Sequence, residues 1–208
     1  GYRAGAEAIA DVFRAEGHQL VEVGTPKLVV RGEGTELEVE IPVTPGPVWR
    51  IGALSLRGPE QISREALLEV AAIEPGQPLS FFEVEEARRA IQTYYRQRGY
   101  YYARVDESLA PLVRGTLSST VGAAEVRKVC AAAVRECAVE LSFSVREGPE
   151  VRTRRVIVRG GDGVRRALVD GELAVTEGEL LTEGALAETQ RNLQIGRASC
   201  RERVCYVV

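Results

Sequence analysis

Few side chains in this sequence are of a kind that does covalent chemistry. Cys130 and Cys137 form a C-x6-C pair. Three readings are open for them: a structural disulfide, two free buried thiols, or a redox pair whose spacing departs from C-x-x-C. His18 is the single histidine and stands beside Gly17, with no catalytic partner near it in sequence. It reads as a solvated residue at a helix end. One histidine and no Cys/His cluster argue against a zinc site. The stretch RGGDGVRR (159–166) has glycines ahead of a helix start but neither GxGxxG nor GxxxxGK, so a turn accounts for them better than a phosphate cradle. Glu85 and Glu86 fall on a solvated helix face. No Ser/His/Asp or Cys/His arrangement can be built. The expectation is a chain without catalytic residues, metal or cofactor.

Composition bounds the class of protein. The chain has 208 residues, 45% hydrophobic and 27% charged, with a net charge of −3. That is ordinary for globular domains, and too weak a charge for an electrostatic nucleic-acid binder. No run approaches the roughly 18 apolar residues of a membrane span. There is no methionine and no signal peptide, so an internal fragment is expected. The stretch QIGRASCRERVC (194–205) resembles the translation of a sequencing-library adapter. Residues 196–208 are therefore expected to be a non-native tail, with natural sequence ending near Leu193.

The elements that position any site repeat. VTPGPVWRIGALSLRG (43–58) and VREGPEVRTRRVIVRG (145–160) are identical at Val43/Val145, Gly46/Gly148, Pro47/Pro149, Arg50/Arg152, Arg57/Arg159 and Gly58/Gly160. The same offset pairs Gly76 with Gly178, Leu79 with Leu181, Ser80 with Thr182 and Arg89 with Arg191. FRAEGHQLVEV (13–23) also echoes YRQRGYYYARV (95–105). So long a period fits tandem small domains better than a solenoid. The expected organisation is the back part of one unit in 1–46, a whole unit in 47–148, and the front part of a third in 149–195.

The whole unit reads β-α-α-β-β. Ile51, Ala53 or Leu54, and Leu56 alternate as a strand that stops at Gly58-Pro59. Ser63 caps a helix with Leu67, Val70 and Ala71 on one face, ended by Glu74-Pro75-Gly76. Ser80 and Glu83 form a capping box for a second helix, with Val84, Ala87, Ile91 and Tyr94/Tyr95 facing inward. Glu85 and Arg89 pair on its outer side, and Gly99 closes it. YYYARVDESL and AVELSFSVREG then read as strands, the second alternating at Val139, Leu141, Phe143 and Val145. In 1–46 a helix with Ala6, Ile9 and Phe13 inward, closed by Gly17, precedes a strand pair about the turn at 31–34. The third unit reads β-α-α, starting with a strand over 151–159. Half units bury less of their sheet face and are expected to be less stable than the whole one.

Tandem β-α-α-β-β units with Gly-Pro junctions (Gly46-Pro47, Gly148-Pro149), post-strand glycines (Gly58, Gly160) and RGYYYARV (98–105) resemble POTRA domains. These are the periplasmic modules of the BamA/TamA family of outer-membrane assembly proteins. ETQRNLQ (188–194) resembles the helix before the closing turn of a final POTRA domain. The sequence departs from the pattern over about 111–136, where a short hairpin loop is usual and an insertion stands instead.

The resemblance implies an α+β fold: a three-stranded mixed sheet with two helices on one face. It places the second strand, 100–109, at the sheet edge. An unpaired edge offers a row of amides to an extended chain. Tyr101, Tyr102, Ala103, Arg104 and Val105 are accordingly the candidate partner-binding residues. The competing reading is that the tyrosines complete the core and the edge stays solvated. Implied partners are unfolded outer-membrane protein clients and periplasmic or lipoprotein accessory subunits. Membrane attachment is implied through a C-terminal β-barrel, and nucleic acid is not a partner. The implied location is the periplasmic side of the outer membrane of a Gram-negative bacterium, where a Cys130–Cys137 disulfide is permitted. The alternatives are the POTRA region of a two-partner secretion transporter and a small α+β thiol-dependent enzyme.

Overall fold

In the computed structural model of the chain, residues 2–31, 36–112, 123–159 and 166–199 are described. The phosphate-loop reading of 159–166, the turn at 31–34, much of the insertion and the end of the tail fall largely outside them. The chain forms two compact units. One comprises Gly1–Arg57, Ile62–Arg89 and Asp106–Ser144; the other comprises Gly58–Gln61, Ala90–Val105 and Val145–Val208.

The first unit opens with α1 (Tyr2–Ala15), closed at Gly17 with φ +94°, a left-handed conformation that glycine takes without strain. Two strand pairs follow. β1 (Glu22–Val23) is antiparallel to β4 (Val43–Thr44), and β2 (Lys27–Arg31) to β3 (Glu36–Glu40). The apolar residues of the β2–β3 pair, Leu28, Val30, Leu37 and Val39, share one face and are exposed.

The main sheet has the order β5-β7-β6, built from β5 (Val48–Arg57), β6 (Arg104–Pro111) and β7 (Glu136–Arg146). β5 and β7 are parallel. The alternation in β7 buries Cys137, Val139, Leu141, Phe143 and Val145. In β5 the buried residues are Trp49, Ile51 and Leu56, so the inward parity changes midway. The cause is a bulge between Ile51 and Ala53 that leaves Gly52 unpaired. Without it Arg57, and not Leu56, would share the inward face with Ile51. The other sheet face is polar, with Arg50 reaching Glu136 at 3.2 Å and Ser55 reaching Glu140 at 3.1 Å.

Helices α2 (Arg64–Ala71) and α3 (Phe81–Arg96) cover the apolar face, with the Phe81 ring 6.5 Å from that of Trp49. The Ser63 hydroxyl accepts from Ala66 N (3.3 Å), as its type predicts. α2 stops earlier than expected, because Ala72 turns left-handed (φ 52°) and its N–H closes on Leu68 and Glu69 carbonyls. Ser80 accepts from Glu83 N (3.4 Å), but the Glu83 carboxylate answers Gln77 instead of completing a reciprocal box.

Two further expectations are corrected, and two more segments gain a description. Tyr101 and Tyr102 form a turn and Ala103 follows it, so the strand begins at Arg104. The reason is that α3 ends in a left-handed Gly99 (φ +90°), after which Tyr100 N–H bonds back to the Tyr95 carbonyl and Ala103 N–H to that of Tyr100. Residues 151–159 form no strand beyond one bridge, Arg152 to Leu180, since a strand requires a partner. The insertion carries a helix, α4 (Ala123–Ala131), with Val126 and Cys130 buried. After α5 (Arg166–Asp170), the last helix α6 (Glu183–Ser199) continues past Leu193, for no glycine-proline stop interrupts its backbone there.

Candidate partner-binding edge

Among the described residues β6 (Arg104–Pro111) is a terminal strand of its sheet, with β7 on one side and no strand on the other. Its burial alternates only in part. Val105 and Pro111 are buried, whereas Asp106, Glu107 and Ser108 are all exposed. Glu107 has the inward parity of Val105 but turns to Arg88 of α3 at 3.5 Å. Arg88 also binds both Glu85 carboxylate oxygens (2.7 and 2.6 Å), and Arg89 shares one of them at 2.7 Å. The Arg88 hydrogen bond, with that of Arg89, holds the Glu85 carboxyl down at about 2 from an ordinary 4.5. The same contact pushes Arg88 further up. One flank of the edge is thus a charged band from α3 to β6. Ser108 and Ser142 hydroxyls meet at 2.7 Å on the strand interior to it. Pro111 ends the donor row, having no N–H.

The tyrosines are placed elsewhere. In the second unit Tyr95 is fully buried and donates to Glu147 at 2.7 Å. Glu147 also accepts from the backbone N–H groups of Glu60 (3.0 Å) and Gln61 (3.1 Å). Burial first, then this hydrogen bond, push the Tyr95 hydroxyl up. The Tyr100 ring stands edge-on to Tyr95 at 5.8 Å, and Tyr101 edge-on to Tyr102 at 5.6 Å. The Arg96 guanidinium lies 5.9 Å from the Tyr101 ring. Tyr102 is 65% exposed and lies beside Gly148. The five candidate residues therefore divide: Arg104 and Val105 lie on the edge strand, whereas Tyr101, Tyr102 and Ala103 belong to the turn by the Gly148-Pro149 junction.

The junctions repeat bond for bond. Gly46 and Gly148 share φ +71°. The Trp49 N–H donates to the Gly17 carbonyl at 2.9 Å, and Val151 N–H to that of Gly99 at 2.9 Å. Leu79 N–H bonds the Trp49 carbonyl and Leu181 N–H that of Val151, both at 2.8 Å. Arg50 donates to the Gly76 carbonyl at 3.0 Å, and Arg152 to that of Gly178 at 3.4 Å. These bonds explain why Arg50/Arg152 and Gly76/Gly178 are identical pairs. The identities are visible in the sequence, but their pairing with each other is not. The Tyr95–Glu147 bond carried no signal in the spacing.

Cys130 and Cys137 are joined in a disulfide, with Cα atoms 5.3 Å apart and both residues buried. It ties α4 to the start of β7. Neither sulfur is available as a nucleophile in this state. Among the described residues no group of His, Cys, Asp and Glu is arranged to hold a metal.

Comparison with known proteins agrees with this geometry. Residues 49–148 match the POTRA family, described as surface antigen variable number repeat. A crystal structure of Haemophilus influenzae BamA POTRA3-5 superposes over 94% of this chain and 69% of its own, with TM-score 0.57 and 15% identity. BamA from Haemophilus ducreyi lacking POTRA domains 1-3 matches 70% of this chain with TM-score 0.52 and 20% identity. The chain spans 24% of that protein. No curated protein matches in sequence. The class is thus a tandem α+β module with the POTRA fold. Residues 49–148 match the POTRA family model, and the chain shares the fold of the solved POTRA structures.

Proposed function

We propose that this chain is part of the periplasmic POTRA array of an outer-membrane β-barrel assembly or translocation factor, and that the free side of β6 takes up extended client or partner segments by strand addition. The observation that carries the reading is the position of β6: a terminal strand, exposed from Asp106 to Ser108, flanked by the charged band of α3. Backbone hydrogen bonds would supply the affinity and alternate side chains a modest selectivity. The charges at Asp106 and Glu107 oppose self-pairing of bare edges. Arg104 and Val105 are the retained candidates on the ladder, with Tyr102 as an aromatic contact at its entrance. The proposed domain borders are the Gly46-Pro47 and Gly148-Pro149 junctions, flanking a unit of 47–148, with 1–46 and 149–195 as parts of neighbouring units. Among the described residues no helix is long and apolar enough to cross a membrane.

NMR titration of the full chain with an extended ten-residue peptide from a barrel strand tests the reading. Amide shifts confined to Arg104–Ala110, abolished when alternate peptide amides are N-methylated, support it. Absence of shifts there, or shifts that N-methylation leaves unchanged, removes it.

A further inference from the structure

The segment that departs from the POTRA pattern closes on itself. From Cys130 to Cys137 the chain leaves α4, turns and enters β7, and the disulfide joins the two ends of that turn. Ala132 N–H bonds back to the Val129 carbonyl at 3.2 Å and Ala133 N–H to that of Cys130 at 3.1 Å, which tightens the helix end. On the other arm the Arg135 carbonyl accepts from Val48 N–H at 2.9 Å. The backbone of the tip is thus pinned on both sides. At its apex Val134 is 94% exposed, more than any other large apolar residue among those described. A branched apolar side chain is held in water by a backbone that cannot fold it away.

Cations accompany it. On α4 Val126 and Cys130, four residues apart, face the core, so Arg127, Lys128 and Ala131 fall on the outer side. Arg127, Lys128 and Arg135 are exposed, and none of them makes an ion pair among the described residues. Of the two nearby carboxylates, Glu136 is taken by Arg50 at 3.2 Å, and Glu125 stands in the first turn of α4, at the end away from the tip. Ala131 and Ala132 are exposed beside Val134. Small apolar side chains among unpaired cations match a bilayer surface, where the apolar groups enter the headgroup region and phosphates meet the cations. A bilayer takes up a protruding side chain without a shaped pocket.

We propose that the disulfide-closed tip, residues 130–137, docks on a phospholipid bilayer with anionic headgroups. Val134 and the neighbouring alanines enter the interface, and Arg127, Lys128 and Arg135 meet headgroup phosphates. The disulfide holds the tip in its binding shape before contact, so less ordering is needed on binding. The contact is reversible, since one valine and three cations give far less than an inserted helix. It draws on the membrane-side location proposed above but not on strand addition at β6.

The test is co-sedimentation of the full chain with phosphatidylcholine vesicles holding about one quarter phosphatidylglycerol. Binding is expected there, at least about tenfold weaker on pure phosphatidylcholine, and weaker again as salt rises. Val134→Asp, at a side chain with almost no packing to lose, lowers the affinity about tenfold. Arg127→Ala, Lys128→Ala and Arg135→Ala each lower it about fivefold. Val134→Trp gives a direct readout, because the native Trp49 is buried and its emission stays constant. The new emission shifts to the blue on anionic vesicles and is quenched by lipids brominated along the acyl chain. No binding to the anionic vesicles, binding unchanged in Val134→Asp, or an unshifted emission from Val134→Trp overturns the proposal. Self-association that Val134→Asp abolishes, without vesicle binding, assigns the tip to a second copy and also overturns it. Peptide shifts at Arg104–Ala110 in a chain that ignores vesicles remove this inference and leave strand addition standing.

Discussion

β5 and residues 151–159 begin alike and end differently. Each follows a Gly-Pro junction with a left-handed glycine, and each spends its first three residues in the same bonds to the loop before the next helix. From there β5 continues as a strand to Arg57, whereas 154–159 form no ladder. The sequences are similar in strand character; VIV in the second is, if anything, more β-prone. The difference is β7, which lies along β5, whereas among the described residues no strand lies along 154–159. Short-range bonds set the start of the element, and the cross-strand partner sets its extent.

The comparison breaks most strongly through β7. Phe143→Ala empties a fully buried site opposite Leu56 and is expected to cost about 3–5 kcal/mol in urea denaturation. Val156→Ala, in the region without a partner strand, is expected to cost under about 1 kcal/mol. Equal losses would show that the two regions are equally packed in solution. Next in size is reduction of the Cys130–Cys137 disulfide, which closes a short loop onto β7. Thiol reductant is expected to lower the stability of the unit by about 2 kcal/mol, by the loop-entropy argument. Early loss of protection at α4 amides in hydrogen exchange would locate the effect.

These contrasts also mark what the sequence makes legible. The alternation in β7, the Ser63 cap and the glycine closure at Gly99 each depend on neighbours within a few residues, and all are readable. The ambiguity between Ala53 and Leu54 is the trace of the Gly52 bulge, visible only as a break in parity. The three tyrosines mislead because β propensity describes a surface and not a hydrogen bond; the helix end at Gly99 takes their backbone first. Of the candidate edge, Arg104 and Val105 are legible as strand residues. The contact of Glu107 with α3 is not legible, because its partner Arg88 is set by helix packing nineteen positions away. The absence of a strand at 151–159 was illegible for the opposite reason. Its residues favour a strand, and the missing ladder is a property of what lies beside them.

Intermediate effects sharpen the comparison at the junctions. Tyr95→Phe removes one donor from Glu147 while Glu60 and Gln61 N–H groups remain, so a loss of about 1–2 kcal/mol is expected. Glu147→Gln should cost a similar amount; a neutral result for both would mean water replaces the bond. Arg50→Ala is expected to cost about 0.5 kcal/mol, as its partners are exposed. Arg152→Ala should cost less, because its carbonyl contact (3.4 Å against 3.0 Å) and its carboxylate pair with Glu150 (3.9 Å against 3.2 Å for Arg50 with Glu136) are both longer.

The smallest expected effect lies on α3, beside the edge strand. Glu85 is held at about 2, below its ordinary 4.5, first by the Arg88 hydrogen bond. Its folded value is depressed, so the stabilisation is present above 4.5 and is lost as pH falls toward 2. Carboxyl chemical shifts followed across that window should give a midpoint near the lower end. In Arg88→Ala the midpoint should move up toward 4.5, with Arg89 alone holding back part of the rise. Glu107 amide signals should move in the same variant, since Arg88 is what turns that side chain out of the inward parity of its strand. A Glu85 midpoint unchanged by loss of Arg88 would mean that the charged band beside β6 is not formed in solution. The free side of β6 would then lack the flank that distinguishes it from an ordinary solvated edge.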